Sequence, residues 1–233
     1  MTRRTTPPHR VLPVIRQLWR EVSFLHWAFD PDVVQPLLPR HLVVDTYDGL
    51  AWVSIVCFST TCSVAGPVPL PGPRRFPETN VRTYVRGAEG GDGLYFFSLD
   101  VTNRANVILG RATGLRYRLG DMEVQVGGRC SYTGARRDDP AVAYNVVVEP
   151  RPGGAGNPLD IFLTARWSGY AQLGGHLVRY DVQHQSWPLR PAVAIECDQT
   201  LLRAEGLPQP TTEPLAHVST GVDVNLAPHR LIW

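Results

Sequence analysis

The chain has 233 residues, 43% of them hydrophobic, which is enough for one substantial core in a single domain. Its formal charge of +2 is too small to argue for a nucleic-acid or membrane-surface partner, both of which need a concentrated basic patch. All 23 basic residues are Arg; the absence of Lys removes side-chain Schiff-base chemistry, because within the chain only Lys offers the amine an imine requires.

Residues 1–9 read as a loose tail, and residues 10–233 as one domain. The tail lacks the continuous apolar run of a signal peptide and no stretch approaches the ~18 apolar residues of a span, so the expected location is cytoplasmic. Cys57, Cys62, Cys130 and Cys197 show no paired spacing, which favours buried reduced thiols over zinc or disulfides.

In "REVSFLHWAFD", Phe24, His26 and Ala28 alternate with Leu25, Trp27 and Phe29, as a strand covered on both sides requires. A short helix follows, with Asp30 as N-cap, Pro31 at its first position and Asp32 at the positive end of the dipole. "YDGLAWVSIVCFS" is a turn and a buried strand. Residues 65–77 hold five prolines and two glycines and form a loop. That loop leads into a strand, "RFPETNVRTY". "VRGAEGGDGLYFF" is a hairpin, and a second strand pair spans "GRATGLRYRLGDMEVQVGGRCSYTG". After a polar turn, an apolar run and the loop "PRPGGAGNP", a helix is predicted over 158–170. Asn157 caps it, and Leu159, Phe162, Leu163, Trp167 and Tyr170 recur at helical spacing. Strands resume in "GHLVRYDVQHQSW", "AVAIECDQTLL" and "AHVSTGVDVNLAP". Many strands with two clear helices imply a mainly antiparallel sheet or barrel with helices outside it.

Standard catalytic and nucleotide-binding motifs are absent, and no metal or dissociable cofactor is expected. The seven His are scattered; His26 and His184 read as hydrogen-bonded core or pocket residues. The informative segment is the strand from 75 to 84. If Thr79, Val81, Thr83 and Val85 face one environment, Glu78, Asn80, Arg82 and Tyr84 share the other, spaced about 6.8 Å apart. On an open sheet that face is solvated exterior; in a closed barrel it lines a hollow. A carboxyl, an amide, a guanidinium and a phenol then supply an acid–base group, orienting donors and an anion clamp. Trp27, Trp52, Phe97 and Trp187 are core residues or pocket wall.

The segments "FLHWAFDPDVVQPLLPRHLVVDTYDGLAWVSIVCF", "FPETNVRTYV", "GLYFFSLD", "FLTARW" and "VQHQSWPL" together resemble the YqjF-like family of uncharacterised bacterial proteins. The family in turn resembles acetoacetate decarboxylase, whose barrel encloses a Schiff-base Lys, two Glu and an Arg. That likeness implies an acetoacetate decarboxylase-like β-barrel with peripheral helices. It places Arg20 at the position of the catalytic-site Arg, Glu78 and Ser54 at those of the two Glu, and Tyr117 and Arg118 in or near those of the paired lysines. The capturing amine is missing, so the decarboxylation mechanism does not transfer.

The expected catalytic residues are therefore Glu78, Arg20, Tyr117 and Arg118. Asn80, Arg82, Tyr84, Ser54, His26, Trp187 and His184 are expected to contact the ligand. An ordinary ion pair of Arg20 or Arg82 with Glu78 is the plainer alternative. Burial raises the pKa of Glu78 and a nearby Arg lowers it, so the residues alone do not set its sign. The functional expectation is a lysine-independent enzyme acting on a small or polyketide-like molecule with a carbonyl or enol, through isomerisation, cyclisation, dehydration or decarboxylation. The alternatives are a non-catalytic small-molecule binder and a structural module. The likeness to an oligomeric decarboxylase also implies self-association without setting a subunit count.

Overall fold

A computed structural model describes residues 13–64, 75–87 and 90–233. The predicted tail, Cys62 as a buried thiol and most of the proline-rich loop lie outside what is described. The first alternating segment belongs to a long strand, β1 (Ile15–Phe29). Its end is set by Asp30, whose side chain accepts from the Asp32 amide and starts α1 (Pro31–Val34), followed by a 3-10 turn, Gln35–Leu37. Two short strands, β2 (Leu42–Val44) and β3 (Thr46–Tyr47), precede β4 (Leu50–Val64). The predicted hairpin is β5 (Phe76–Gly87) and β6 (Asp92–Val101), paired antiparallel.

A helix not foreseen in the sequence, α2 (Arg104–Ala112), comes next, capped by the Asn103 side chain on the Ala105 amide. Three strands then meander: β7 (Tyr117–Val126), β8 (Cys130–Arg136) and β9 (Ala143–Pro150). The helix predicted over 158–170 is shorter, α3 (Pro158–Thr164), with a reciprocal Asn157–Asp160 capping box. Trp167 and Tyr170 do not extend it. Their spacing matches a helix by coincidence, and the chain turns at Ala165 into β10 (Ser168–Leu173), where Tyr170 pairs with Tyr95 of β6. The remaining elements are β11 (His176–His184), β12 (Leu189–Gln199), a further unforeseen helix α4 (Leu201–Ala204), β13 (Leu215–Leu226) and β14 (Arg230–Leu231).

The strands form one mainly antiparallel sheet that closes on itself twice. One ring runs β1-β4-β5-β6-β10-β11-β13 and back to β1; the other leaves β6 through β7, β8, β9 and β12 and returns to β13. Parallel pairing occurs where β6 meets β10 and β7. Because β1, β4 and β5 belong to both rings, each presents one face to each interior, and the period of two sorts their side chains. Leu25, Trp27, Val53, Ile55, Cys57, Val81 and Val85 pack with Tyr132, Tyr144, Val146 and Val148 into the main hydrophobic cluster. The hydroxyls of Ser23 and Thr79 bond the Tyr132 and Tyr144 phenols at 2.9 and 2.7 Å on that same side. The opposite face of the three strands looks into the seven-stranded ring.

A β-bulge in β1 decides which residues look that way. Between Arg20 and Ser23 the chain advances three residues while β4 advances two, and Glu21 takes a left-handed φ of 48°. Cavity-facing positions therefore switch from Gln17 and Trp19 to Val22 and Phe24. Gly221, opposite Arg20, makes room for the bulge with a φ of +118°, and a Cβ there would collide with the Trp19 carbonyl. Gly221→Ala is expected to destabilise the fold by about 3–5 kcal/mol, a fall in Tm on the order of 10 °C by calorimetry.

Candidate active site

The seven-stranded ring encloses a cavity of about 70 Å³, bounded by Glu78, Asn80 and Arg82 of β5 and by Tyr117 at the start of β7. That is room for several water-sized groups. The polar face of β5 is thus turned inward: Glu78, Asn80, Arg82 and Tyr84 are all buried. The opposite wall, from β10 and β11, brings Gly169, Tyr180, Val182 and His184. Gly169 has no alternative, since a Cβ there would strike the Tyr180 ring. An aromatic cluster closes one side. Trp187 stacks on Trp19 at 6.0 Å, meets Phe24 edge-on at 5.0 Å and lies 5.1 Å from the His184 ring.

Burial in this wall pushes the Glu78 carboxyl up to about 8, with the nearby Asp100 charge adding to the shift and a hydrogen bond from Tyr117 opposing it. The carboxyl is therefore mostly protonated at neutral pH. Asp100 itself is held by Arg136 at 2.9 Å, and Arg136 also bonds Glu205 at 2.8 Å and Ser98 at 2.7 Å. Burial lowers the pKa of Arg82, but a guanidinium begins so far above neutrality that it remains a cation. Arg82 makes no ion pair among the described residues, and its guanidinium lies 5.6 Å from the centre of the Phe24 ring. His184 is held down to about 4 by burial, against a hydrogen bond to the Gln185 carbonyl, and is neutral. Buried atoms in the cavity wall without a hydrogen-bond partner among the described residues include Asn80 Oδ1, Arg82 Nε and the Tyr180 hydroxyl. Native interiors rarely leave such groups unsatisfied.

His26, Ser54 and Tyr84 are brought together one layer from the cavity. Ser54 Oγ lies 2.6 Å from His26 Nδ1 and 2.7 Å from the Tyr84 hydroxyl. Two of the expected catalytic residues are not in the hollow. Arg20 would share the face of Phe24 and His26 by simple alternation, but the bulge reverses that parity. It points outward, bonding Asp223 at 2.6 Å and the Trp19 and Val222 carbonyls. Arg118 follows Tyr117 in β7, so when Tyr117 points inward Arg118 points out, 3.4 Å from Asp138. Neither arginine pairs with Glu78 in this structure. Of the aromatic residues read as core or wall, Trp27 and Phe97 join the main cluster, Trp52 packs near Tyr84, and Trp187 lines the cavity.

The family can now be assigned. Residues 16–223 match the model of the DUF2071 family, described as uncharacterized conserved proteins. The chain belongs to that family. Uncharacterized protein YqjF of Bacillus subtilis (strain 168) is 35% identical to it over 223 residues, covering 93% of this chain and 92% of the relative. Among solved structures, the enduracididine biosynthesis enzyme MppR complexed with pyruvate superposes with a TM-score of 0.69 at 18% identity, over 96% of this chain and 92% of that one. An acetoacetate decarboxylase-like enzyme from Sphingomonas wittichii RW1 gives 0.65 at 15% identity, over 96% and 94%. The acetoacetate decarboxylase of Legionella pneumophila gives 0.65 at 13%, over 99% and 90%. At these identities the likeness is one of fold, and it makes this DUF2071 chain acetoacetate decarboxylase-like in architecture.

Among the described residues no cluster of three or more His, Cys, Asp or Glu is arranged to hold a metal ion, and no helix is long and apolar enough to cross a membrane. Sequence reasoning missed Tyr180, Trp19 and Arg166, all in the cavity wall. For Tyr180 a signal existed. Tyr180, Val182 and His184 alternate along β11 as Glu78, Asn80 and Arg82 do along β5. Arg166 was hidden inside the over-extended helix; it is buried and bonds Asp45 at 2.8 Å.

The raised pKa of Glu78 carries a stability prediction for this DUF2071 protein. The folded state holds the Glu78 proton more tightly than the unfolded chain, whose value is near 4.5. The stability this confers is complete below that value and is lost as pH rises through about 8. Glu78→Gln, which cannot ionise, is expected to match the wild-type Tm near about pH 5 and to exceed it by roughly 5–10 °C near about pH 9. Scanning calorimetry across that range checks it.

Proposed function

We propose that this chain is an enzyme that binds a small carboxylate bearing a carbonyl or enol and moves a proton on it through an enolate, without an imine. The observation that carries the reading is the enclosed hollow in which a cationic Arg82 with an unpartnered Nε shares a wall with the protonated carboxyl of Glu78. With Glu78, His26 and His184 neutral at neutral pH, and Arg166 already paired with Asp45, the cavity carries the charge of Arg82 and favours an anion. Small volume favours a compact acid.

In the proposed step the ionised fraction of Glu78 takes the α proton, the electron pair of the broken C–H bond forms the enolate C=C while the carbonyl π pair moves to oxygen, and a hydrogen bond from Tyr117 stabilises that oxygen. Glu78, now protonated, returns that proton or one exchanged with solvent to the α carbon; in a decarboxylation the bond to the carboxylate breaks in place of the C–H bond, carbon dioxide leaves, and protonated Glu78 supplies the proton to that carbon. Isomerisation, cyclisation, dehydration and decarboxylation all pass through such an intermediate. The solved MppR complex with pyruvate, on the same fold, supports the choice of a small oxo acid as first probe.

The experiment is to incubate the protein with pyruvate in D₂O and follow methyl hydrogen exchange by NMR. Exchange above the buffer rate supports the enzyme reading. Thermal stabilisation by pyruvate without exchange would instead identify a carboxylate-binding protein. Borohydride added with pyruvate is expected to leave the mass of every side chain unchanged, because the chain contains no Lys.

A further inference from the structure

A second, larger hollow lies against the first. It has a volume of about 220 Å³ and sits where the loop before α3, α3 itself and the connection from β11 to β12 meet. It reaches the surface at the exposed Gly156 and Ser186, and the buried Ala165 and Trp167 lie deeper. Thr164 and Trp187 line both hollows, so these two side chains form the wall between them. Thr164 is fixed: it ends α3, and its hydroxyl donates to the Asp160 carbonyl at 2.6 Å. Trp187 belongs to no strand. It sits in the irregular connection 185–188, between the exposed Ser186 and Pro188.

The two compartments differ in chemistry. The inner one is small and carries the charge of Arg82, which suits the oxo-acid end of a molecule and leaves no room for a bulky substituent. Ile161, Ala165, Trp167, Trp187 and Leu189 give the outer one an apolar lining, and its two indoles suit a flat ring. Its one ionisable side chain among the described residues is Asp160, whose Oδ2 accepts the Gly156 and Asn157 amides at 2.7 and 3.1 Å, as a carboxylate does. His217 lies 3.0 Å from the other oxygen, but burial holds its pKa below the ordinary value, so at neutral pH it does not cancel that charge. A second carboxylate is therefore disfavoured in the outer compartment, and an uncharged group is favoured.

A third hollow also touches the inner one, with Phe96 and Leu115 as the shared wall and Arg116 as its ionisable side chain. That wall is held by backbone bonding: Phe96 lies within β6, and Leu115 donates to the Gly110 carbonyl and accepts from the Tyr117 amide. The wall at Trp187 is the one that rests on a loop.

We propose that the hollow beyond Trp187 is a second compartment of the same site, taking the uncharged aromatic substituent of a 2-oxo acid whose carboxylate and carbonyl lie in the inner hollow. The ligand spans the two by turning the Trp187 indole aside on its loop. The inner half of this assignment rests on the proposed function; the preference of the outer compartment for an aromatic ring does not.

The test titrates the full chain by calorimetry with three acids that differ only in the group on their fourth carbon. 2-Oxobutanoate carries hydrogen there, 2-oxo-4-phenylbutanoate a phenyl ring and 2-oxoglutarate a second carboxylate. The phenyl acid is expected to bind about 10–100-fold more tightly than 2-oxobutanoate, and 2-oxoglutarate more weakly than the phenyl acid. Ala155→Trp fills the outer hollow from the half-exposed loop before α3, and the phenyl preference is expected to disappear. A separate arm needs no variant and no acid group on the probe: saturation transfer from the wild-type protein to the ring protons of 3-phenylpropanol is expected, displaced by the phenyl acid but not by 2-oxobutanoate. Equal affinity for the phenyl and parent acids, tighter binding of 2-oxoglutarate than of the phenyl acid, a phenyl preference that survives Ala155→Trp, or no transfer to 3-phenylpropanol each overturns the second compartment. Displacement of 3-phenylpropanol by 2-oxobutanoate overturns it too, by placing the ring in the inner hollow. Failure of 2-oxobutanoate to bind, with transfer to 3-phenylpropanol intact, instead removes the proposed function and leaves the aromatic compartment in place.

Discussion

Glu78→Gln is expected to lower the rate of pyruvate methyl exchange by about 10²–10⁴-fold while leaving pyruvate affinity within about threefold. The amide is nearly isosteric with the protonated carboxyl that neutral pH favours at this site, so the cavity keeps its shape and its charge. Tyr117 can still donate to the amide oxygen. What is lost is the group that takes and returns the α proton, which separates a catalytic role from a binding role. Exchange kinetics by NMR and affinity by calorimetric titration read the two quantities independently. An unchanged rate would remove Glu78 from the proton-transfer step.

Arg82→Met acts on the other half of the site and in the opposite sense. It removes a buried cation that has no carboxylate partner among the described residues, so the folded state is relieved of a desolvation cost. Tm is expected to hold or rise by a few degrees. Pyruvate affinity is expected to fall by about 10²-fold or more, since the anion would lose its only unpaired counter-charge among the described residues of the cavity wall. Stability and binding moving apart is the signature of a residue kept for function. A loss of both would mean that Arg82 serves chiefly as structural support.

How much of this could be read from the residues depended on whether a local rule survived the tertiary structure. The period of two along β5 separated Glu78, Asn80, Arg82 and Tyr84 from Thr79, Val81, Thr83 and Val85, and closure of the sheet then turned the polar set inward. Asp30 and Asn157 announced helix starts because capping is a matter of two or three neighbouring residues. Parity across the β1 bulge could not be read. Nothing in "LWREVSF" shows that Glu21 adopts a left-handed φ, and that one residue moves Trp19 into the cavity and Arg20 out of it. The helix α2 was missed because its Val-Ile-Leu run looks strand-like and only Val107 is buried. The contacts of His26 with His217, and of His217 with Asp160, join β1, β13 and α3 and leave no trace in any local pattern.

The central claim is that the polar face of β5 lines a hollow that accepts a small organic acid. A crystal structure of the protein grown with pyruvate tests it most directly. The account predicts density inside the seven-stranded ring, with the carboxylate on Arg82 and the carbonyl oxygen within hydrogen-bond reach of Glu78 or Tyr117. A ring interior closed by its own side chains, or pyruvate bound only on the outer surface, would contradict it.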